Sequence, residues 1–310
     1  MRATVLPDFG QPVSLTDLPV AEPGEGEVRV RIHASSVNGF DLAVAAGYAR
    51  DWMEHRFPVV LGRDFAGLVD ALGPGVTRFA IGDPVFGVII NPVLGDGGFG
   101  EYAVVREDAG IARIPPGIDM ATAGALGLAG TSAVLAIDAL DPRSGETVLI
   151  CGAPGGVGSL AVQLAAGRGA EVIGTARPGE QTDHLRRLGV THVVDRDGDI
   201  AAQVRALRPN GVDAVLHLAG DAASLATILT PDGRIASLLV MTPEGLGVDG
   251  SRVRPVVARP DAEILNRLAT EGASGRLRVR IDATYPLADV PAAFRKFADG
   301  KTGKITIAVD

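Results

Sequence analysis

The 310-residue chain is poor in the residues that carry several kinds of chemistry. It has a single cysteine, Cys151, and only three lysines, all within the last fifteen residues. One cysteine excludes an intrachain disulfide and a thiolate zinc cluster, and it fits a reducing cytoplasm, the location expected for this protein. Positive charge is also short. The formal net charge is -8 with a pI near 5.2, which leaves no electrostatic footing for a phosphate backbone, so nucleic acid is not an expected partner. The opening "MRATVLPDFGQPVSL" lacks the apolar stretch of a signal peptide. A long uncharged run, Met120 to Ile137, is diluted by Gly, Ala, Thr and Ser. A buried helix between domains is expected there, and no membrane association.

Apolar residues make up 46% of the chain and charged ones 21%, the balance of a globular protein with a substantial core. Its length suits two domains. The first 115 or so residues read as short extended pieces such as "EVRVRIHASSV", "FAGLVDALGPGV" and "EYAVV", punctuated by Gly and Pro at the spacing of an all-β unit. From Glu146 the rhythm changes. Apolar strands "TVLIC", "EVIGTA", "HVVD", "AVLHLA" and "RIASLLV" alternate with helical stretches, the βαβ pattern of a parallel sheet. A short strand "VRPVVA", a helix "DAEILNRLATEG" and a return to strands with "KITIAVD" complete an α/β reading in which both chain ends build one domain.

The most informative stretch is "VLICGAPGGVGSLAVQLAAGRGAEVIGTAR", residues 148 to 177. Ala153, Gly155 and Gly158 hold the spacing of the dinucleotide fingerprint, whose glycines serve a tight turn, close approach to a pyrophosphate, and packing of helix on strand. A plain βα turn is the alternative, but here the loop follows a strand, opens a helix and sits within a full βαβ unit. The acid expected about 20 residues on, which would bond a ribose 2'-hydroxyl, is missing. Thr175, Ala176 and Arg177 stand there instead. A guanidinium at that strand end can pair with a 2'-phosphate, which points to NADPH. A merely solvated Arg177 is the other reading.

Over nearly its whole length, the chain resembles the zinc-independent quinone oxidoreductase branch of the medium-chain dehydrogenase/reductase superfamily. The motifs that carry the likeness are "EPGEGEVRVRIHASSVNGFDL", "FPVVLGRDFAGLVDALGPGVTRFAIGDPVFG", "GGFGEYAVV", "LGLAGTSAVLAI", the glycine loop and the closing "GKITI". The resemblance implies a GroES-like catalytic domain at 1–116 and 259–310 around a Rossmann domain at 117–258. Zinc alcohol dehydrogenases of the same superfamily use a Cys and a His where this chain has Asn38 and Arg63, and an amide and a guanidinium are poor ligands for zinc. His33, His55, His184, His192 and His217 show no paired ligand spacing. No metal is therefore expected.

The resemblance further places Asn38 and Tyr48 by the acceptor, Asn38 to orient its carbonyl and Tyr48 to hydrogen-bond or deliver a proton. A turn cap and a packing aromatic are the plain alternatives. Asp64 either orients Arg63 or caps a turn. The expected cofactor-binding set is Thr131, Gly155, Gly156, Val157, Gly158, Thr175, Arg177, Arg196, Ala219, Leu239 and Lys304. Arg196 replaces a Tyr of many relatives, and Lys304 is included because relatives bring the Lys of "GKI" toward the cofactor. Cys151 reads as a small buried hydrophobe. The function implied is NADPH-dependent hydride transfer to a small-molecule quinone or other conjugated carbonyl. A 2-enoyl thioester reductase or a non-catalytic NADPH sensor are the alternatives, and a homodimer paired through the edge strand "VRPVVA" is expected.

Overall fold

The structure is a computed structural model that describes every residue except Pro243, Gly245, Gly247 and Asp310. The chain divides into two compact units, Met1–Thr131 with Pro260–Asp310, and Ser132–Arg259.

The first unit is organised around the strand Glu27–Ser36. Val28, Val30, Ile32 and Ala34 are buried at alternate positions, the period of two that turns one face of a strand onto a core. This strand pairs antiparallel with Asp64–Leu72, Tyr102–Arg106 and Lys304–Ala308. The main path of the sheet runs Ile111–Arg113, Pro84–Val88, Asp64–Leu72, Glu27–Ser36, Lys304–Ala308, Ile281–Pro286. The strand Lys304–Ala308 thus fills the gap between Glu27–Ser36 and Ile281–Pro286, and its Ile305 and Ile307 pack beside Phe65, Phe99, Val28 and Val30 in one core. A smaller sheet, Ser14–Asp17, Arg2–Leu6 and Val59–Val60, completes this unit.

The division between the units falls inside the helix Met120–Leu140, not ahead of it at residue 116 as the sequence suggests. Two glycines explain the difference. A Cβ on Gly124 would lie 3.0 Å from the Ala34 backbone, and one on Gly127 would lie 2.9 Å from the Gly87 carbonyl. With no side chains there, the first turns of the helix sit directly on the sheet of the first unit and belong to it. The helix is long and apolar enough to span a bilayer, with mean hydropathy 1.6, yet 72% of that window is buried inside the protein. Its apolar surface is consumed by packing.

In the second unit, six parallel strands run in the order His192–Asp195, Glu171–Ala176, Thr147–Cys151, Val212–His217, Leu229–Ser237, Val253–Pro255. The order reverses at Thr147–Cys151, the first strand in sequence, which makes the carboxyl ends of that strand and its neighbours the crevice where such sheets bind ligands. Thr147–Cys151 is buried at every position. Burial pushes the Cys151 thiol up to about 12, so this residue is an inert packing group. Val253–Pro255 forms the edge.

The loop from Gly152 into the helix Gly156–Gly167 is closely packed. Gly152 has φ 79°, and a Cβ on Gly158 would lie 2.3 Å from the Gly152 carbonyl oxygen. Because that neighbour is backbone, the loop itself would have to shift. Gly158→Ala should therefore destabilise the protein by about 1–3 kcal/mol in chemical denaturation. A variant as stable as the parent would show that the loop is not held against the helix in this way.

Candidate functional site

In the first unit, the strand Glu27–Ser36 turns at Val37–Asn38 into the helix Gly39–Ala45. The turn is pinned from the far end of the chain, since the Val37 N–H donates to the Ile305 carbonyl at 2.9 Å. Around it lies a buried polar cluster. Asp64, fully buried, accepts from the Ser36 hydroxyl and, at 2.8 Å, from Asn38 Nδ2 on its Oδ2. Its Oδ1 accepts from the Leu128 N–H at 2.7 Å. Lys304, 2% exposed, donates from Nζ to Asn38 Oδ1 at 2.6 Å and to the Val37 carbonyl at 3.2 Å, and lies 3.5 Å from Asp64 Oδ2. Such burial of opposite charges is tolerated because neutral partners satisfy the remaining lone pairs and protons.

Electrostatics follow from the same packing. Desolvation pushes the Asp41 carboxyl up to about 7, against the Asn38 N–H that it accepts at 2.7 Å and the charges of Lys304 and Arg63. Desolvation lowers Lys304, opposed by Asp64 and Asp41, and it lowers Arg63 against the same two acids.

This arrangement engages two of the expected site residues within the protein. Asn38 Nδ2 spends its hydrogens on the Ser36 carbonyl at 3.2 Å and on Asp64, and its oxygen is taken by Lys304. Both hydrogens of the amide are thus engaged, and the turn that carries Asn38 is held in place. Lys304 is likewise occupied within this cluster. Tyr48 stands apart, 73% exposed, beyond the helix Gly39–Ala45. Thr131 is buried, and its Oγ1 has no hydrogen-bond partner among the described residues.

In the second unit, the expected cofactor residues gather at the carboxyl ends of the strands. Gly155, Gly156, Val157 and Gly158 form the turn into the helix Gly156–Gly167, whose first N–H groups have no partner within the helix. Thr175 is 3% exposed, and its hydroxyl accepts from the Gly152 N–H at 3.1 Å. This bond braces the loop. Arg177 and Arg196 follow neighbouring strands, and both donate to one carboxylate that the sequence reading missed. Arg177 Nε lies 3.0 Å from Asp197 Oδ2 and Arg196 Nε 3.3 Å from Oδ1. The hydrogen bond from Arg177, joined by that from Arg196, holds the Asp197 carboxyl below its ordinary range. Ala219 and Leu239, both exposed, lie just past the strands Val212–His217 and Leu229–Ser237. Those two strand ends are tied by His217, buried, with Nδ1 2.9 Å from Ser237 Oγ and Nε2 3.1 Å from the Gly220 carbonyl. Ser237 Oγ also accepts from the Leu239 and Val240 N–H groups. Nothing in the spacing of the histidines marks His217 for this task.

Two family models match the chain, the alcohol dehydrogenase GroES-like domain over residues 24–116 and the zinc-binding dehydrogenase over residues 156–249. Quinone-oxidoreductase QR1 of Triphysaria versicolor is 30% identical over 311 residues, covering 94% of this chain and 92% of that protein. The phthioceranic/hydroxyphthioceranic acid synthase of Mycobacterium tuberculosis is 33% identical over 321 residues, and the match takes in 96% of this chain but only 15% of the synthase. Among solved structures, the quinone oxidoreductase from Coxiella burnetii is similar with a TM-score of 0.87 at 26% identity, covering 100% of this chain and 99% of that one.

The buried Asp41 gives a pH signature. With its folded pKa near 7 and thus above that of the unfolded acid, the folded state holds a proton that the unfolded state has lost between about pH 4 and 7, so stability falls as pH rises through that window. Asp41→Asn keeps an oxygen to accept from the Asn38 N–H and removes the ionisation. The variant should gain on the parent by an amount on the order of 1–3 kcal/mol between pH 5 and pH 8 in denaturant titrations. A stability difference that stays constant with pH would refute the buried ionisation.

Proposed function

Because the chain belongs to the quinone oxidoreductase branch of the medium-chain dehydrogenase/reductase superfamily, an oxidoreductase family that binds nicotinamide dinucleotides, we propose that it transfers hydride from NADPH to a quinone or another conjugated carbonyl without zinc. The observation that carries this reading is the charge cluster that engages Asn38. Zinc needs free lone pairs on deprotonated ligands. Asn38 offers an amide oxygen already bonded to Lys304, Arg63 a guanidinium, and Lys304 an ammonium, so these residues do not fit the ion. Without a Lewis acid, formation of an alkoxide from an alcohol loses its usual support. An acceptor that is already electrophilic needs less help.

The glycine turn fits a pyrophosphate, since the N–H groups at the start of the helix Gly156–Gly167 and the helix dipole favour an anion there. When bound, NADPH supplies the hydride. The chain's own residues supply position and charge. Thr175 fixes Gly152 and so the turn. Arg177 and Arg196, preset by Asp197, offer two guanidinium groups for a 2'-phosphate, while Asp197 partly offsets their charge. A second reading, reduction of a 2-enoyl thioester, is favoured by the similarity to a segment of an acid synthase.

A panel of quinones, enones and enoyl thioesters assayed with NADPH and with NADH separates these readings through cofactor absorbance. The fastest turnover is expected for quinones or enones with NADPH, and turnover confined to thioesters would select the second reading. Arg177→Ala should raise the NADPH dissociation constant about 10- to 100-fold, the loss of one charge-assisted hydrogen bond, and should leave NADH affinity nearly unchanged. Equal losses for both cofactors would exclude a role on the phosphate.

A further inference from the structure

Arg63 is the one member of the charged group around Asn38 that the cluster leaves without a hydrogen bond. It follows Gly62 on the approach to the strand Asp64–Leu72, and its backbone is fixed by the Ile89 N–H, which donates to its carbonyl at 2.7 Å. The guanidinium carbon stands 5.3 Å from the centre of the Phe40 ring, a cation–π contact that orients the plane. Asp41 and Asp64 act on it through space, and no salt bridge joins Arg63 to either among the described residues. Nη1 is buried with no hydrogen-bond partner among the described residues. A guanidinium carries five N–H donors, and a buried donor left unmade costs about 1–3 kcal/mol. A chain that retains this cost at a charged group gains where a ligand oxygen completes the bond.

Arg63 also lines a recess, together with Phe40, Asp41, Val44, Leu61 and Leu94, with about 210 Å³ of empty space. Part of that space is open solvent and the enclosed part has room for about one water-sized group, so it admits the oxygen end of a ligand and not a whole molecule. Its walls are mostly apolar, and its two acids, Asp41 and Asp96, work against a permanent anion. A neutral conjugated carbonyl meets both conditions, with its oxygen end turned to the guanidinium.

We propose that Arg63 binds the carbonyl oxygen of the electron acceptor and holds the negative charge that develops there during reduction. The proposal rests on the reductase reading above. On that reading, hydride forms a new bond to the acceptor, a π pair moves onto the carbonyl oxygen, and the resulting oxyanion faces Arg63 until a proton from water neutralises it. The acceptor is reduced by two electrons and the nicotinamide is oxidised by two. Arg63 is neither protonated nor deprotonated in the step. A preset cation placed at developing charge is the kind of arrangement that contributes most to such reactions. Asn38 and Lys304 act through the turn that carries Phe40 and Asp41, and have no contact with the acceptor.

The test uses the full chain with two substitutions, Arg63→Gln and Arg63→Lys, and two readouts. Binding of 2-methyl-1,4-naphthoquinone is measured by calorimetry in the presence of NADP⁺, where no turnover occurs, and steady-state kcat and KM are measured with NADPH. Arg63→Gln should weaken quinone binding at least tenfold and reduce kcat about 100-fold, as loss of one well-placed donor does elsewhere, with the NADPH dissociation constant unchanged. Arg63→Lys keeps the charge and should recover part of both losses. Should Arg63→Gln fail to fold, Arg63→Lys alone decides, with a 3- to 10-fold weaker quinone affinity expected. Quinone affinity and kcat within twofold of the parent in every folded variant would overturn the proposal, and so would an equal loss of NADPH binding. A parent protein that turns over no quinone or enone would instead defeat the reductase reading, while the calorimetric arm would still report whether Arg63 holds a carbonyl.

Discussion

The ammonium of Lys304 and the carboxylate of Asp64, buried 3.5 Å apart with the Asn38 amide bridging them, are the constraint on which the first unit depends. Neither charge is affordable alone in such a place, because removing one partner of a buried pair leaves the other uncompensated at a cost of several kcal/mol. Lys304 opens a strand that pairs with Glu27–Ser36, and Asp64 opens the strand on the other side of Glu27–Ser36. The ion pair therefore spans the central strand and requires the two ends of the chain to fold together. The geometry of the turn at Val37–Asn38, and with it the recess beside Phe40, is a consequence.

In the second unit the constraint is packing of backbone on backbone. The reversal of strand order at Thr147–Cys151 opens a crevice, and Gly158 lets the helix Gly156–Gly167 close against Gly152 with nothing between. Charge enters afterwards. Arg177, Arg196 and Asp197 are all exposed, where solvent screens an ion pair. They add little to stability, which leaves them free for the phosphate role proposed above. The protein thus keeps its strong electrostatics buried, where they shape the first unit, and its exchangeable electrostatics at the surface of the second.

The rhythm of apolar strands and intervening helices made the second unit legible in the sequence, since each strand there is a local pattern. The motifs of the first unit were legible as a family likeness. What sequence could not give was the engagement of individual groups. Asn38 looked like a free donor because its partners, Asp64 and Lys304, lie 26 and 266 residues away, and no local spacing reports such contacts. The expectation of a cofactor contact at Lys304 comes from relatives with the closing "GKI", and its bonds to Val37 and Asn38 are equally invisible to local spacing. Arg63 was visible only as a residue unable to bind zinc. Its unpaired nitrogen emerges when the folded surroundings are accounted for atom by atom. The boundary inside the helix Met120–Leu140 was hidden because Gly124 and Gly127 read as mere dilution of an apolar run, when they are what lets the helix touch the sheet.

The central claim is that Asn38 and Lys304 are coupled through one buried network that sets the first unit. A double-mutant cycle with Asn38→Ala and Lys304→Met, followed by denaturant unfolding of the full chain, measures that coupling directly. The account requires the double variant to be more stable than the sum of the single losses by about 1.5 kcal/mol or more, because each single change already breaks the shared bond to the other residue. Losses that add to within about 0.5 kcal/mol would mean that the two residues act independently and that the network is not what holds the site.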